Sequence, residues 1–271
     1  MRKPCYRAGV DDAQGEALDP GSPLLVTWLG RIEYREAWAL QKRLVATRVA
    51  GEVPDVLLLL EHDAVLTLGR GADPGHVLAD DAALAGRGIE VIAVKRGGEV
   101  TYHGPGQLVA YPIVRLADRA LLVRPFVRTL EAALAATCGR FGVAAGRRDG
   151  HPGAWCDGDG PWPRKIGALG LRIERGVSYH GIALNVEPDL SAFGLIDACG
   201  MPGVVSTSIA AELGRAGDAP PSTAAVEEVG RGFATTLAAR LGAPLRWTGR
   251  EDLEGSARDV EWRVAVGTGR R

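Results

Sequence analysis

Arg164 to Val186 reads RKIGALGLRIERGVSYHGIALNV, and this stretch decides the architecture. Residues 164–174 and 178–186 each read as a strand. Glu174-Arg175-Gly176-Val177 between them forms a hairpin turn whose glycine takes the positive dihedral. Ile182, Leu184 and Val186 alternate as a strand with one covered face does. Two strands joined this tightly run antiparallel. Gly167 and Gly170 weaken the first strand, and glycine there marks a place where a ligand lies against the backbone.

Upstream, Leu24 to Leu29 reads as a short strand. From Glu33 to Val49, Tyr34, Ala37, Trp38, Leu44 and Val45 share one helical face, and Gly51 stops the helix. Val56 to Leu60 is a continuous apolar run, the mark of a central strand covered on both faces. Glu61-His62-Asp63 is read as a turn, which makes His62 a turn histidine, and a further strand follows from Ala64 to Leu68. A short helix from Asp80 to Ala85, capped by Asp80 or Asp81, precedes a strand from Ile89 to Val94. Arg96 to Pro112 then reads RGGEVTYHGPGQLVAYP. Gly104-Pro105-Gly106 is turn punctuation, and the reading pairs strand 99–102 with strand 107–113 across it.

Downstream, Pro125 is placed first in a helix that runs to Phe141 and buries Phe126, Leu130, Leu134 and Cys138 on one stripe. Gly153 to Asp157 reads as a strand, and Asp157 to Pro163 (DGDGPWP) as a loop. Ser206 or Thr207 caps a short helix through Leu213. A last amphipathic helix spans Ala224 to Leu241, with Val226, Val229, Phe233 and Leu237 inward. Strands and helices mix without strict alternation. The expected fold class is therefore α/β (mixed α+β): one domain, 24–245, with a mixed, largely antiparallel sheet flanked by helices. Residues 1–23 read as a loose extension and 246–271 as a polar tail.

Composition removes several functions. With 32 basic and 33 acidic residues, the total charge gives no footing to a nucleic-acid binder. Cys5, Cys138, Cys156 and Cys199 are widely spaced and form no CxxC, which argues against a disulfide framework and a compact zinc site. No apolar run approaches a membrane span, and the N-terminus does not read as a signal peptide. A cytoplasmic, reduced protein is expected. GxxxxGK[ST], a strand-to-helix GxGxxG and GxSxG are all absent, so phosphate-loop, dinucleotide and serine-hydrolase readings lack support.

The better constellation is a nucleophile with a base. Cys199 sits between Ala198 and Gly200, small neighbours that leave a sulfur accessible, and Lys165 opens the first strand of the hairpin. As an ammonium a lysine favours the thiolate, and as a neutral amine it can take the proton. One cysteine and one lysine occur in most chains, so the pairing alone identifies nothing.

Three blocks add to it. RGGEVTYHGPGQLVAY, KIGALGLRIERGVSYHGIALNV and DLSAFGLIDACG resemble the lipoyl(octanoyl) transferase family, in that family's order. With LLLLEHDAVLTLGR upstream, the resemblance covers residues 24–213. It implies the fold shared by biotin and lipoate protein ligases. It also implies transfer of an octanoyl group from octanoyl-acyl carrier protein to a lysine of a lipoyl domain. Such acceptors belong to 2-oxoacid dehydrogenase complexes or are the glycine cleavage H protein. Neither cofactor nor metal, nucleic acid nor membrane enters. The family's acyl-thioester cysteine falls on Cys199 and its activating lysine on Lys165. The acyl-binding positions fall on Arg96, Gly97, Gly98, Glu99, Val100, Thr101, Tyr102 and His103, on Ala168, Leu169 and Gly170, and on Gly181, Ile182 and Ala183. His103 is expected to wall the pocket. Lys95, Arg96, Arg164 and Arg172 are candidate docking charges for acidic partners.

The chain departs from the family's pattern in three places. Ala198 replaces the usual proline, Asp157 to Pro163 is an insertion, and Cys156 stands where an apolar residue is usual. Two rivals keep the same fold: an ATP-dependent lipoate protein ligase, which needs no cysteine, and a non-catalytic binding module.

Overall fold

The 164–186 hairpin lies at the heart of the main sheet. The computed structural model describes residues 21–214 and 223–255. The chain runs β1 (Leu24–Ile32), α1 (Tyr34–Ala50), β2 (Asp55–His62), β3 (Val65–Leu68), α2 (Asp81–Gly86), β4 (Glu90–Ala93), β5 (Val100–His103) and β6 (Gln107–Ile113). It continues with α3 (Val123–Arg140), β7 (Gly146–Arg148), β8 (His151–Cys156), β9 (Arg164–Glu174) and β10 (Val177–Asn185). It ends with β11 (Val205–Ser206), α4 (Ile209–Glu212), α5 (Thr223–Leu241) and β12 (Leu245–Trp247).

The large sheet has the order β12-β1-β2-β6-β10-β9-β8-β7, with β11 beside β9. Strands β12, β1 and β2 are parallel, and every other junction along that path is antiparallel. A second sheet, β4-β3-β5, has three strands. Helices α3 and α5 cover one face of the large sheet through Phe126, Leu130, Leu134, Phe233 and Leu237. Helix α1 covers the other through Ala37, Leu40 and Leu44. Strand β2 is buried at every residue because both faces are covered.

Local chemistry sets the boundaries. Glu33 caps α1 by accepting from the Arg35 and Glu36 amides, and Gly51 closes it at φ 78°. The β9–β10 turn has Arg175 at φ 46° and Gly176 at φ 79°, the two positive values of a type I′ hairpin.

Five expectations change. Glu61 and His62 belong to β2 and are fully buried, not in a turn, because each finds an internal partner. Glu61 Oε2 accepts from the Gly106 amide at 2.6 Å. Strands β5 and β6 do not pair with each other: β5 joins β3, and β6 lies between β2 and β10. The Gly104–Gly106 turn therefore joins the two sheets, with the Val186 and Glu187 amides donating to Gly106 O. Pro125 is the third residue of α3, still within the turn whose amides lack helical partners. Ser208 caps α4, accepting from Ala211 N. Arg246 and Trp247, assigned to the tail, extend β12 against β1, and Leu253 is buried beneath α1. The rest of that tail (256–271), and all but three residues of the N-terminal extension, lie outside the described residues.

Candidate active site

The small sheet roofs β9 and β10, and a groove of about 410 Å³ lies between. Gly97 N donates to Leu171 O at 2.9 Å, fixing the 96–98 loop against β9. Gly170 and Gly181 face each other across the hairpin register. A Cβ on Gly170 would stand 2.8 Å from Gly97 O, and one on Gly181 would stand 2.1 Å from Ala110 O. These glycines allow backbones to close around the groove.

Cys199 occupies a single 3₁₀ turn, Ala198–Gly200, at φ 61° and ψ 25°. That left-handed conformation costs a non-glycine residue about 1–2 kcal/mol and persists only where neighbours enforce it. They do so here: Gly200 N donates to Asp197 O at 2.9 Å, and Asp197 N to His76 O at 2.8 Å. Below Gly200, His76 Nδ1 pairs with Glu99 Oε2 at 3.1 Å. Cys138 and Cys156 are buried, and burial pushes their thiols up to about 12 and about 11. Both stay protonated. Cys199 is half-buried and lines the groove.

Lys165 lines the same groove at 6% exposure. Its Nζ donates to Pro152 O at 2.9 Å and lies 4.7 Å from the centre of the Trp155 ring. Gly153, at φ 127°, makes room for it: a Cβ there would touch Lys165 Cε at 3.3 Å. Lys165 forms no ion pair among the described residues, so no carboxylate ties it down. Cys199, Lys165, Ala168 and Ala183 also share a second, small cavity with Thr101 and Asn185. The arrangement brings a thiol and an amine to one groove and one small cavity.

Residues 33–233 match the lipoyl protein ligase A/B catalytic domain. The chain belongs to that family. An octanoyltransferase of Mycolicibacterium gilvum (strain PYR-GCK) is 49% identical over 194 residues, 71% of this chain and 78% of that one. An octanoyltransferase of Chloroflexus aggregans is 46% identical over 71% of this chain and 86% of that one. Relatives this similar make the protein an acyltransferase. In fold, it superimposes on the bipartite lipoate protein ligase of Thermoplasma acidophilum with a TM-score of 0.63 at 16% identity, over 88% of this chain and 91% of that chain.

In this lipoyl protein ligase A/B domain, all but one of the expected acyl-binding positions line the groove. The exception is Tyr102, whose ring turns into the roof's own core and meets Phe193 edge-on at 5.5 Å. His103 lines the groove, and its Nδ1 donates to Gln107 Oε1 at 2.7 Å. Burial lowers its pKa to about 3, so it is a neutral wall. His62 lies behind it with a pKa lowered to about 4. Its Nδ1 donates to Ile32 O at 2.9 Å, and its Nε2 accepts from Tyr111 Oη at 2.7 Å.

Of the four candidate docking charges, Arg96 and Arg164 are engaged within the chain. Arg96 is 7% exposed and spends its guanidinium on Thr67 and Gly97 O, so it forms part of the wall. Arg164 is paired with Glu212 at 2.7 Å. Sequence reasoning missed Tyr34, Tyr111 and His180, which also line the groove. They come from α1, β6 and β10, and no local spacing connects them.

Proposed function

We propose that this acyltransferase moves an octanoyl group from octanoyl-acyl carrier protein to a lipoyl-domain lysine through an acyl-thioester on Cys199. One observation supports it above the rest. The cysteine that is half-buried, unlike its two buried counterparts, shares the groove with a lysine that no carboxylate engages.

The Cys199 thiolate attacks the donor's thioester carbonyl, the carbon–sulfur bond to the carrier breaks, and the carrier thiol leaves with a proton. A thioester replaces a thioester, so the step is nearly balanced. The acceptor's lysine amine then attacks, the bond to Cys199 breaks, and an amide forms downhill. Two moderate steps replace one three-body encounter. Lys165 favours the thiolate as an ammonium, gives that proton to the departing carrier thiolate and, then neutral, accepts the proton lost by the amine. The acyl chain lies over Gly170 and Gly181, and each buried methylene contributes about 0.8 kcal/mol.

Intact-mass spectrometry tests the reading. Incubation with octanoyl-carrier protein should add one octanoyl group to the enzyme, and an unchanged mass would point to a binding module. Product formed from free octanoate and ATP, without carrier protein, would point to a ligase instead.

A further inference from the structure

The groove wall on β10 carries a buried polar group without partners. His180 lines the groove at 1% exposure, yet neither ring nitrogen has a hydrogen-bond partner. Five other buried atoms among the described residues share that state, and three of them, Trp38 Nε1, Gln41 Nε2 and Arg172 Nε, belong to residues around His180 that do not themselves line the groove. Trp38 and Gln41 stand three apart on α1, a spacing that puts them on one face. Gln41 Oε1 accepts from the His180 amide at 2.8 Å, and the Trp38 ring lies 6.3 Å from the His180 ring. Arg172 is opposite Tyr179, the neighbour of His180, in the hairpin register. His180 itself takes φ 53° inside β10. Its ring then stacks on Tyr179 at 4.8 Å and meets Tyr111 edge-on, under α1.

A buried, unpaired donor is expensive, at about 1–3 kcal/mol each. A neutral His180 ring has one nitrogen that donates and one that accepts, so the group suited to it is a hydroxyl or water oxygen. The position suits the end of a chain. Ala183 shares the small cavity with Cys199, and His180 is three strand residues away, about 10 Å along β10. Seven carbon–carbon bonds of about 1.5 Å, staggered, reach roughly as far.

We infer that His180 is a polar end-stop of the acyl groove and pairs with an oxygen at the ω end of the chain. With octanoyl that oxygen is water's, and with an ω-oxygenated chain of the same length it is the chain's own. Extra methylenes displace it and leave the ring unpaired, so His180 sets chain length. The inference rests on the octanoyl-transfer reading of the same groove.

The test is the rate of Cys199 acylation, followed by intact mass, from octanoyl-, 8-hydroxyoctanoyl- and decanoyl-carrier protein. The hydroxylated donor should react within about threefold of octanoyl. An apolar dead end would reject the hydroxyl by about 100-fold, and that result overturns the inference. His180→Leu should raise the decanoyl-to-octanoyl ratio at least about tenfold and slow the hydroxylated donor. An unchanged ratio in the folded variant also overturns it. If His180→Leu fails to fold, the wild-type hydroxyl comparison decides alone. Labelling by none of the three donors would sink the octanoyl-transfer reading and this inference together, an outcome distinct from normal labelling without selectivity.

Discussion

Cys199 differs from Cys138 and Cys156 in surroundings, since all three are thiols. Burial keeps the other two protonated, so Cys199→Ala should abolish the octanoyl adduct while Cys138→Ala and Cys156→Ala retain it. Adduct on Cys199→Ala would remove the assignment. Lys165→Ala should slow acylation, followed by intact mass, about 10²- to 10⁴-fold. A rate within about threefold of the parent would end the activator role. Both residues were legible because they sit in blocks that resemble a family. His180 was not legible as a residue of the groove. Its place there depends on a positive φ within β10 and on Gln41, 139 residues upstream, and the neighbouring letters carry neither.

Elements were easier to read than their partners. Gly51 and Gly242, both at positive φ, end α1 and α5 where the sequence stops them. The hairpin turn falls where its glycine puts it. The pairing of β5 with β6 failed because a buried carboxylate on β2 and two amides after β10 hold the Gly104–Gly106 turn. Those contacts span most of the domain. Gly170→Ala would push the 96–98 loop off β9, since its Cβ would meet Gly97 O at 2.8 Å. The expected outcome is an apparent KM for octanoyl-carrier protein raised about tenfold, roughly 1.4 kcal/mol of lost binding. An unchanged KM would show that the loop does not shape the groove.

A buried ion cluster ties α1 to β2 and to the turn after β6. Asp55, 0% exposed, holds Arg48 Nε and Arg119 Nε, each at 2.8 Å, and Arg48 also reaches Asp118. Asp55→Ala leaves Arg48 and Arg119 without that carboxylate, and should destabilise the fold by about 3–5 kcal/mol. The urea midpoint followed by circular dichroism checks it. A loss under about 1 kcal/mol would place the charges in water.

At the scale of the molecule, three histidines share one fate. Burial lowers His62 to about 4 and His103 and His180 to about 3, against an ordinary value near 6.5. The folded rings stay neutral, so the unfolded chain binds more protons below pH 6.5. The stability from neutral rings is fully present above that pH and is lost as pH falls toward 4 and 3. Each ring removes up to about 1.4 kcal/mol per pH unit in that window. The urea midpoint should fall steeply between pH 6.5 and 5 and lack this contribution to its slope above pH 7. A midpoint flat down to pH 5 would mean that the rings meet solvent. The mixed, largely antiparallel architecture was legible as a whole, because strand patterning and the hairpin survive any choice of neighbour. The second sheet was not, since its three short strands look locally like extensions of the first.

The left-handed turn at Cys199 carries a consequence for selection. The conformation suits glycine, and the residue kept there is not glycine. Cys199→Gly should therefore melt above Cys199→Ala, which keeps the strain, by the equivalent of about 1 kcal/mol. The fold would be more stable without the cysteine proposed as its nucleophile, so stability alone would drive this position toward glycine, and only a requirement for activity opposes that drift.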